Sequence, residues 1–165
     1  ALCLDELDGR SVDDYLPAAG SALKFTRPGI SKTWALKGST ATIAWQFKGL
    51  AGRRLTTRLN LAMPSCDGFL GRYVLADGSI PGGFGAALEL AAAKSLTLGD
   101  GVLGGSIRVD SPIPAEIHGR PHQTVSQSEA GFEKIMQAVE LSVNWVIPDD
   151  ACTLQLKLTI EPTPP

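Results

Sequence analysis

His118 and His122 are the only histidines in the chain, spaced His-x-x-x-His in the stretch IHGRPHQ. On a loop such a pair can give two imidazole ligands to a metal, as in a cupin-like site, once a third ligand completes the set. No third ligand stands nearby, and Gly119-Arg120-Pro121 reads as a turn. The expectation is therefore no metal and no cofactor. Nucleophilic chemistry has no better support, because Ser126 and Ser128 lie in no G-x-S-x-G elbow. The Gly-rich stretches GGFG (82–85) and LGDGVLGGS (98–106) do not open a helix with the spacing that cradles phosphate, and both read as plain loops. Three tryptophans could line a sugar site. Trp45 and Trp145 fall on the apolar faces of their strands and read as core, which leaves Trp34 open. With no catalytic set in view, the reading is that the chain is not an enzyme.

The chemistry that is present is charge. In GRRLTTRLNLAM (52–63) the even positions are Arg54, Thr56, Arg58 and Asn60, and the odd ones are Leu55, Thr57, Leu59, Leu61 and Met63. Side chains alternate across a strand, so one face is cationic and polar and the other mostly apolar. The charge is segregated along the whole chain. Residues 1–20 carry Asp5, Glu6, Asp8, Asp13 and Asp14 against Arg10. Residues 21–65 carry Lys24, Arg27, Lys32, Lys37, Lys48, Arg53, Arg54 and Arg58 and no acid. The remainder is acidic again, and the net charge is −2. A basic block of this kind meets nucleic acid, an anionic glycan or the acidic surface of another copy. The plainer alternative is a solvated strand face whose acids lie nearby in space. Lys48, Arg53, Arg54, Arg58, Lys24 and Arg27 are the candidates for RNA or inter-subunit contact, and the five acids of residues 1–20 are candidates for an assembly arm.

The elements that must position these groups are strands. Strand patterns recur at 21–27, 33–38, 40–47, 52–63, 70–76, 86–93, 106–110, 115–119, 138–147 and 152–161, with Gly, Pro and Asp turns between them. The last, CTLQLKLTIE, alternates most cleanly, with Leu154, Leu156, Leu158 and Ile160 inward. Helix signals are few. SQSEAGFEKIMQ (126–137) has Ser126 and Glu129 at capping-box spacing and Phe132, Ile135 and Met136 on one helical face. SVDDYL (11–16) suits a short helical turn. Many short strands without a βαβ rhythm predict an all-β, antiparallel β-sandwich of the jelly-roll type. The expected organisation is an acidic N-terminal arm at 1–20, one sandwich domain at 21–161 and a C-terminal tail at 162–165. The expected core includes Ile43, Trp45, Leu59, Val143, Trp145, Leu156 and Leu158.

Composition agrees with a globular domain. The chain has 165 residues, 44% of them apolar and 19% charged, and no apolar run approaches the ~20 residues of a membrane helix. The opening Ala1-Leu2-Cys3-Leu4 has neither methionine nor a cationic, apolar leader, and reads as a processed chain. Cys3, Cys66 and Cys152 show no zinc or redox spacing. A chain of this size does not need a disulfide, which favours reduced thiols.

Three stretches resemble the coat-protein domains of picorna-like plant viruses of the comovirus, nepovirus and cheravirus kind. ALCLDELDGRSVDDYL is similar to their N-terminal arm, GRRLTTRLNLAMPSCDG to an early strand and turn, and QAVELSVNWVIPDDACTLQLKLTIEP to their closing strand pair. The resemblance covers roughly a third of the chain and leaves residues 70–130 unmatched. It implies release from a polyprotein and a structural capsid protein that self-assembles in a virion. The partners would be copies of itself, sister coat proteins and RNA from an RNA virus, with no membrane. The alternatives are an extracellular β-sandwich such as a fimbrial or adhesin subunit, and a carbohydrate-binding or cupin-like domain.

Overall fold

Alternation of apolar and polar residues organises the whole molecule. The computed structural model describes residues 3–20, 23–63, 65, 70–128 and 131–162, and every regular element in them is a strand. The strands are β1 (Cys3–Leu7), β2 (Arg10–Val12), β3 (Leu16–Pro17), β4 (Lys24–Arg27), β5 (Ile30–Lys37), β6 (Thr40–Phe47), β7 (Arg54–Leu61) and β8 (Gly71–Val74). They continue with β9 (Gly82–Gly83), β10 (Leu88–Asp100), β11 (Gly105–Ser128), β12 (Gly131–Val146) and β13 (Thr153–Pro162). All pairings are antiparallel, and the main path runs β2-β1-β7-β12-β11-β13-β6-β5-β4-β3. The expected antiparallel β-sandwich is the fold observed.

Two strands let this path fold into layers. The far half of β11 pairs with β12 from Glu116 onward, while its first residues, Gly105 to Asp110, pair with β13. β10 follows the same route, pairing Leu88 with Gly119 at one end and Asp100 with Gly105 at the other. Its register shifts between Ala93 and Ser95. The partner residues at this corner are Ser111, Pro112, Ile113 and Pro114, and the two prolines cannot donate to a ladder. A bulged, proline-bearing corner bends a strand from one layer into the next. The segments 106–110 and 115–119, which read as separate strands, are therefore one bent strand. Ser111 pins the corner: its hydroxyl accepts from Trp145 Nε1 at 3.0 Å and donates to the Ile113 carbonyl at 2.7 Å.

The layers meet over an apolar core. Trp45 of β6 and Trp145 of β12 face each other, ring centroids 5.8 Å apart and tilted by 51°. Ile43, Leu59, Val143, Leu156 and Leu158 are buried with them, as the alternation predicts. In β7, Leu55, Thr57, Leu59 and Leu61 are buried and Arg54, Thr56, Arg58 and Asn60 face outward. GGFG is a core contact rather than a loop, since Phe84 is fully buried with its ring edge-on to Tyr73 at 5.3 Å.

Several expectations are corrected. Residues 126–137 do not form a helix. They belong to a β-ribbon in which Val125 pairs with Lys134 and Gln127 with Phe132. β12 is already held in register by β7 and β11 through Val139 to Val146, and its ladder extends one residue at a time. A single apolar triad preceded by Gly131, whose φ is 122°, does not outcompete that. Among the described residues no third strand joins this end of the ribbon, and Phe132 stays exposed. The helical turn expected at 11–16 is absent, replaced by β2 and β3. Of the expected arm, residues 3–12 are tied to the sheet, because β1 and β2 form a hairpin that adds β1 to β7. Its turn is Asp8-Gly9, with φ of 51° and 75°, the left-handed pair that a tight hairpin turn requires. Ile160, expected inward, is exposed; it lies one residue past the end of the β6–β13 ladder at Thr40–Thr159. The tail residues 163–165, Cys66 and Glu129 lie outside the described residues.

The loop after β10 is organised by Asp100, which is buried. Its carboxylate accepts from Ser65 N (3.0 Å), Ser65 Oγ (2.5 Å), Val102 N (2.9 Å) and Leu103 N (3.1 Å). Burial pushes this carboxyl up, but the hydrogen bonds from Ser65, Leu103 and Val102 outweigh it and hold it below the ordinary range. A carboxylate more acidic folded than unfolded adds stability above its unfolded pKa, and that stability is lost as pH falls through the folded value. Asp100→Asn should therefore flatten the loss of stability below about pH 4, measured as urea midpoints across an acid series. In the core, Trp145→Ala should cost about 3–5 kcal/mol through the cavity it leaves. Phe132→Ala, on the ribbon, should change the unfolding free energy read from the same urea curves by less than about 0.5 kcal/mol.

Candidate functional site

β1 places Cys3, Asp5 and Leu7 on its inward face, so a carboxylate enters the core beside two less polar neighbours. Asp5 is 2% exposed. Its Oδ2 accepts from Lys32 Nζ (2.9 Å), Trp45 Nε1 (2.9 Å) and Tyr15 Oη (3.0 Å). Its Oδ1 accepts from Thr57 Oγ1 at 2.8 Å. Lys32 is 5% exposed and reaches Cys3 Sγ at 3.2 Å as well as Asp5. Taking two charges out of water costs several kcal/mol each, and such a pair persists only where further hydrogen bonds satisfy both groups. Trp45, Tyr15 and Thr57 saturate the carboxylate here, and Cys3 Sγ takes a second N–H of Lys32. Burial and the Asp5 carboxylate push the Tyr15 phenol far above its ordinary range, so it stays protonated and donates. Burial also raises the Cys3 thiol, more than the Lys32 ammonium lowers it.

The ammonium is enclosed by rings. Lys32 Nζ lies 5.4 Å from the Trp45 centroid, 5.7 Å from Tyr15 and 5.8 Å from Trp34, within reach of cation–π attraction. Trp45 seals the inner side. On the outer side Cys3, Tyr15, Leu23, Phe25, Lys32 and Trp34 line an open depression of about 460 Å³. This depression, aromatic at its walls and ionic at its floor, is the candidate site.

Several of the residues singled out for charge pair within the chain. Glu6 pairs with Arg58. Asp8 accepts from Arg53 Nε at 2.7 Å and from the Arg54 backbone N–H at 2.8 Å, and these two contacts hold its carboxyl below the ordinary range. Asp14 pairs with Arg27 at 3.3 Å, and Arg54 pairs with Glu116. Asp5 turns inward to Lys32. Asp13, Lys24 and Lys48 make no ion pair with the described residues. The acidic first segment and the basic block are thus neighbours in one chain, brought together where β1 pairs with β7. Exposed pairs of this kind are worth ~0–1 kcal/mol each.

The histidines do not converge. His118 and His122 lie on the same extended strand, where four residues span about 13 Å, too far for one ion. His118 Nε2 sits 2.8 Å from Glu116 Oε1 instead. Among the described residues no cluster of His, Cys, Asp or Glu suits a metal, and Cys3 and Cys152 are free thiols. Sequence reasoning missed Tyr15, Phe25 and Lys32 as site residues. The visible signals were parity errors: Asp5 between Cys3 and Leu7, Lys32 between Ile30 and Trp34, Thr57 between Leu55 and Leu59. Asp5→Ala should cost about 3–5 kcal/mol by leaving the Lys32 charge unpaired. Asp5→Leu combined with Lys32→Met should recover much of that loss in urea unfolding.

Residues 16–158 match the family model described as alpha-amylase/4-alpha-glucanotransferase, C-terminal. Among solved structures, the 4-alpha-glucanotransferase of Thermococcus litoralis superposes with a TM-score of 0.64 at 17% identity, covering 98% of this chain and 28% of its own length. The Slr1438 protein of Synechocystis sp. PCC 6803 gives a TM-score of 0.50 at 11% identity, over 90% of this chain and 65% of that one. No curated protein matches the chain in sequence. The chain thus spans about a quarter of the glucanotransferase it resembles. These findings overturn the coat-protein resemblance, together with the capsid function and virion location it implied. The strand alternation that helped carry it is a general property of half-buried antiparallel strands. The findings favour the carbohydrate-related alternative.

Proposed function

Because the chain belongs to the family of alpha-amylase/4-alpha-glucanotransferase C-terminal domains, we propose that it is the accessory β-sandwich of an enzyme acting on α-linked glucans and supplies no catalytic group itself. The observation that carries this reading is the family match, which runs from β3 nearly to the end of β13. The share of the Thermococcus enzyme that the chain covers supports it, since most of that enzyme lies outside the matched part.

The carboxylates point the same way. Glycoside cleavage uses two carboxyl groups about 5–9.5 Å apart, one of them raised in pKa so that it can protonate the leaving oxygen. Among the described residues, the carboxyls displaced from their ordinary values are Asp8, Asp77, Asp100 and Glu116, and all are lowered. Hydrogen bonds hold them ionised, which suits turns and ion pairs and disfavours a general acid.

Incubated with maltoheptaose, the chain by itself should yield neither longer nor shorter maltooligosaccharides by chromatography. In an enzyme that carries this domain, Glu116→Gln should leave kcat unchanged. Turnover by the isolated chain, lost on Glu116→Gln, would overturn the reading.

A further inference from the structure

We propose that the depression outside the buried Asp5–Lys32 pair is a binding site for a neutral pyranose. Its assignment to an α-glucan segment rests on the function proposed above.

The ligand class follows from what the site lacks and what it offers. Lys32 has three N–H donors. Asp5 Oδ2 and Cys3 Sγ take two, and no third acceptor lies among the described residues. A buried lysine that keeps one N–H without a partner among the described residues, beside an open depression, favours a ligand that brings an acceptor. A purely apolar ligand would seal that donor in without a partner. An anion is disfavoured because Asp5, 2.9 Å from Lys32 Nζ, already neutralises the floor. A cation is disfavoured because the rings already enclose the Lys32 ammonium.

The walls supply the rest. Trp34, Phe25 and Tyr15 are each partly exposed and line the depression. A pyranose presents an apolar C–H face suited to an aromatic wall and a rim of hydroxyls that accept hydrogen bonds. It is the ligand that satisfies both the rings and the spare N–H of Lys32. A volume of about 460 Å³ lies within the range of ligand pockets and leaves room for a short saccharide segment. The binding surface is preformed, because the network around Asp5 fixes Lys32 and Tyr15 from behind.

The test is titration of the intact chain with maltoheptaose and with cellohexaose, read by calorimetry and by tryptophan fluorescence. Maltoheptaose should bind and cellohexaose should bind more weakly. Trp34→Ala and Phe25→Ala should each weaken maltoheptaose by roughly three- to tenfold, the worth of one aromatic contact. Trp34→Phe should restore most of the loss, and Phe132→Ala, on the distant ribbon, should change nothing. The fold of each variant is checked by its urea midpoint, and Trp34→Phe keeps the test open if an alanine variant does not fold. Absence of binding to either saccharide, or equal losses in Trp34→Ala and Phe132→Ala, would overturn the site. Equal, Trp34-dependent binding of both saccharides would overturn the α-glucan assignment alone. The turnover measurement above reports on the accessory-domain reading independently, so the two failures are distinguishable.

Discussion

A carboxylate that has left water must be met by donors, and the donors that meet Asp5 come from all over the fold. Lys32 arrives on β5, Trp45 on β6, Thr57 on β7 and Tyr15 from the segment before β3. Asp5 itself arrives on β1, an edge element that a hairpin adds to one layer. The same network therefore bridges both layers and closes the end of the sandwich that the first strand covers. An apolar residue in place of Asp5 would pack, but it would select neither the register of β1 on β7 nor the position of Lys32. The cost of burying charge is offset by this saturation, and the constraint it imposes is directional where hydrophobic contact is not.

That one register also resolves the charge segregation along the chain. With Glu6 opposite Thr56 and Leu4 opposite Arg58, the acids of β1 and its turn fall beside the arginines of β7. Glu6 reaches Arg58 and Asp8 reaches Arg53 without any partner molecule. Part of the imbalance between the first segment and the basic block is thus met within the fold. Arg53, Arg54 and Arg58 each have an acidic neighbour within the chain.

The candidate site is an outgrowth of the same network. The inner face of Lys32 is committed to structure, and its outer face meets an opening walled by Tyr15, Phe25 and Trp34. Structural and binding roles coexist because an ammonium has more donors than its carboxylate partner uses. Beyond Val139, the ribbon formed by the ends of β11 and β12 is held, among the described residues, only by its own ladder. Its Phe132 is exposed because no described element covers it.

Strand parity was legible in the sequence because it is a local property. Alternation assigned Trp45, Trp145, Leu59, Val143 and Leu156 to the core and Arg54, Arg58 and Asn60 to the outside, and the all-β antiparallel class follows from that and the turn residues. The extent of a strand was not legible, because cover depends on where the neighbour ends: Ile160 has the parity of Leu158 and no layer over it. Nor was the ribbon at 126–137, where cooperative pairing with an existing strand overrode a short helical pattern. The site was half visible, as an acid, a lysine and a threonine at inward positions. Which of them meet was decided by tertiary structure alone, since residues 5, 15, 32, 45 and 57 share no local pattern. Only the folded layers bring their side chains within hydrogen-bond reach of one carboxylate.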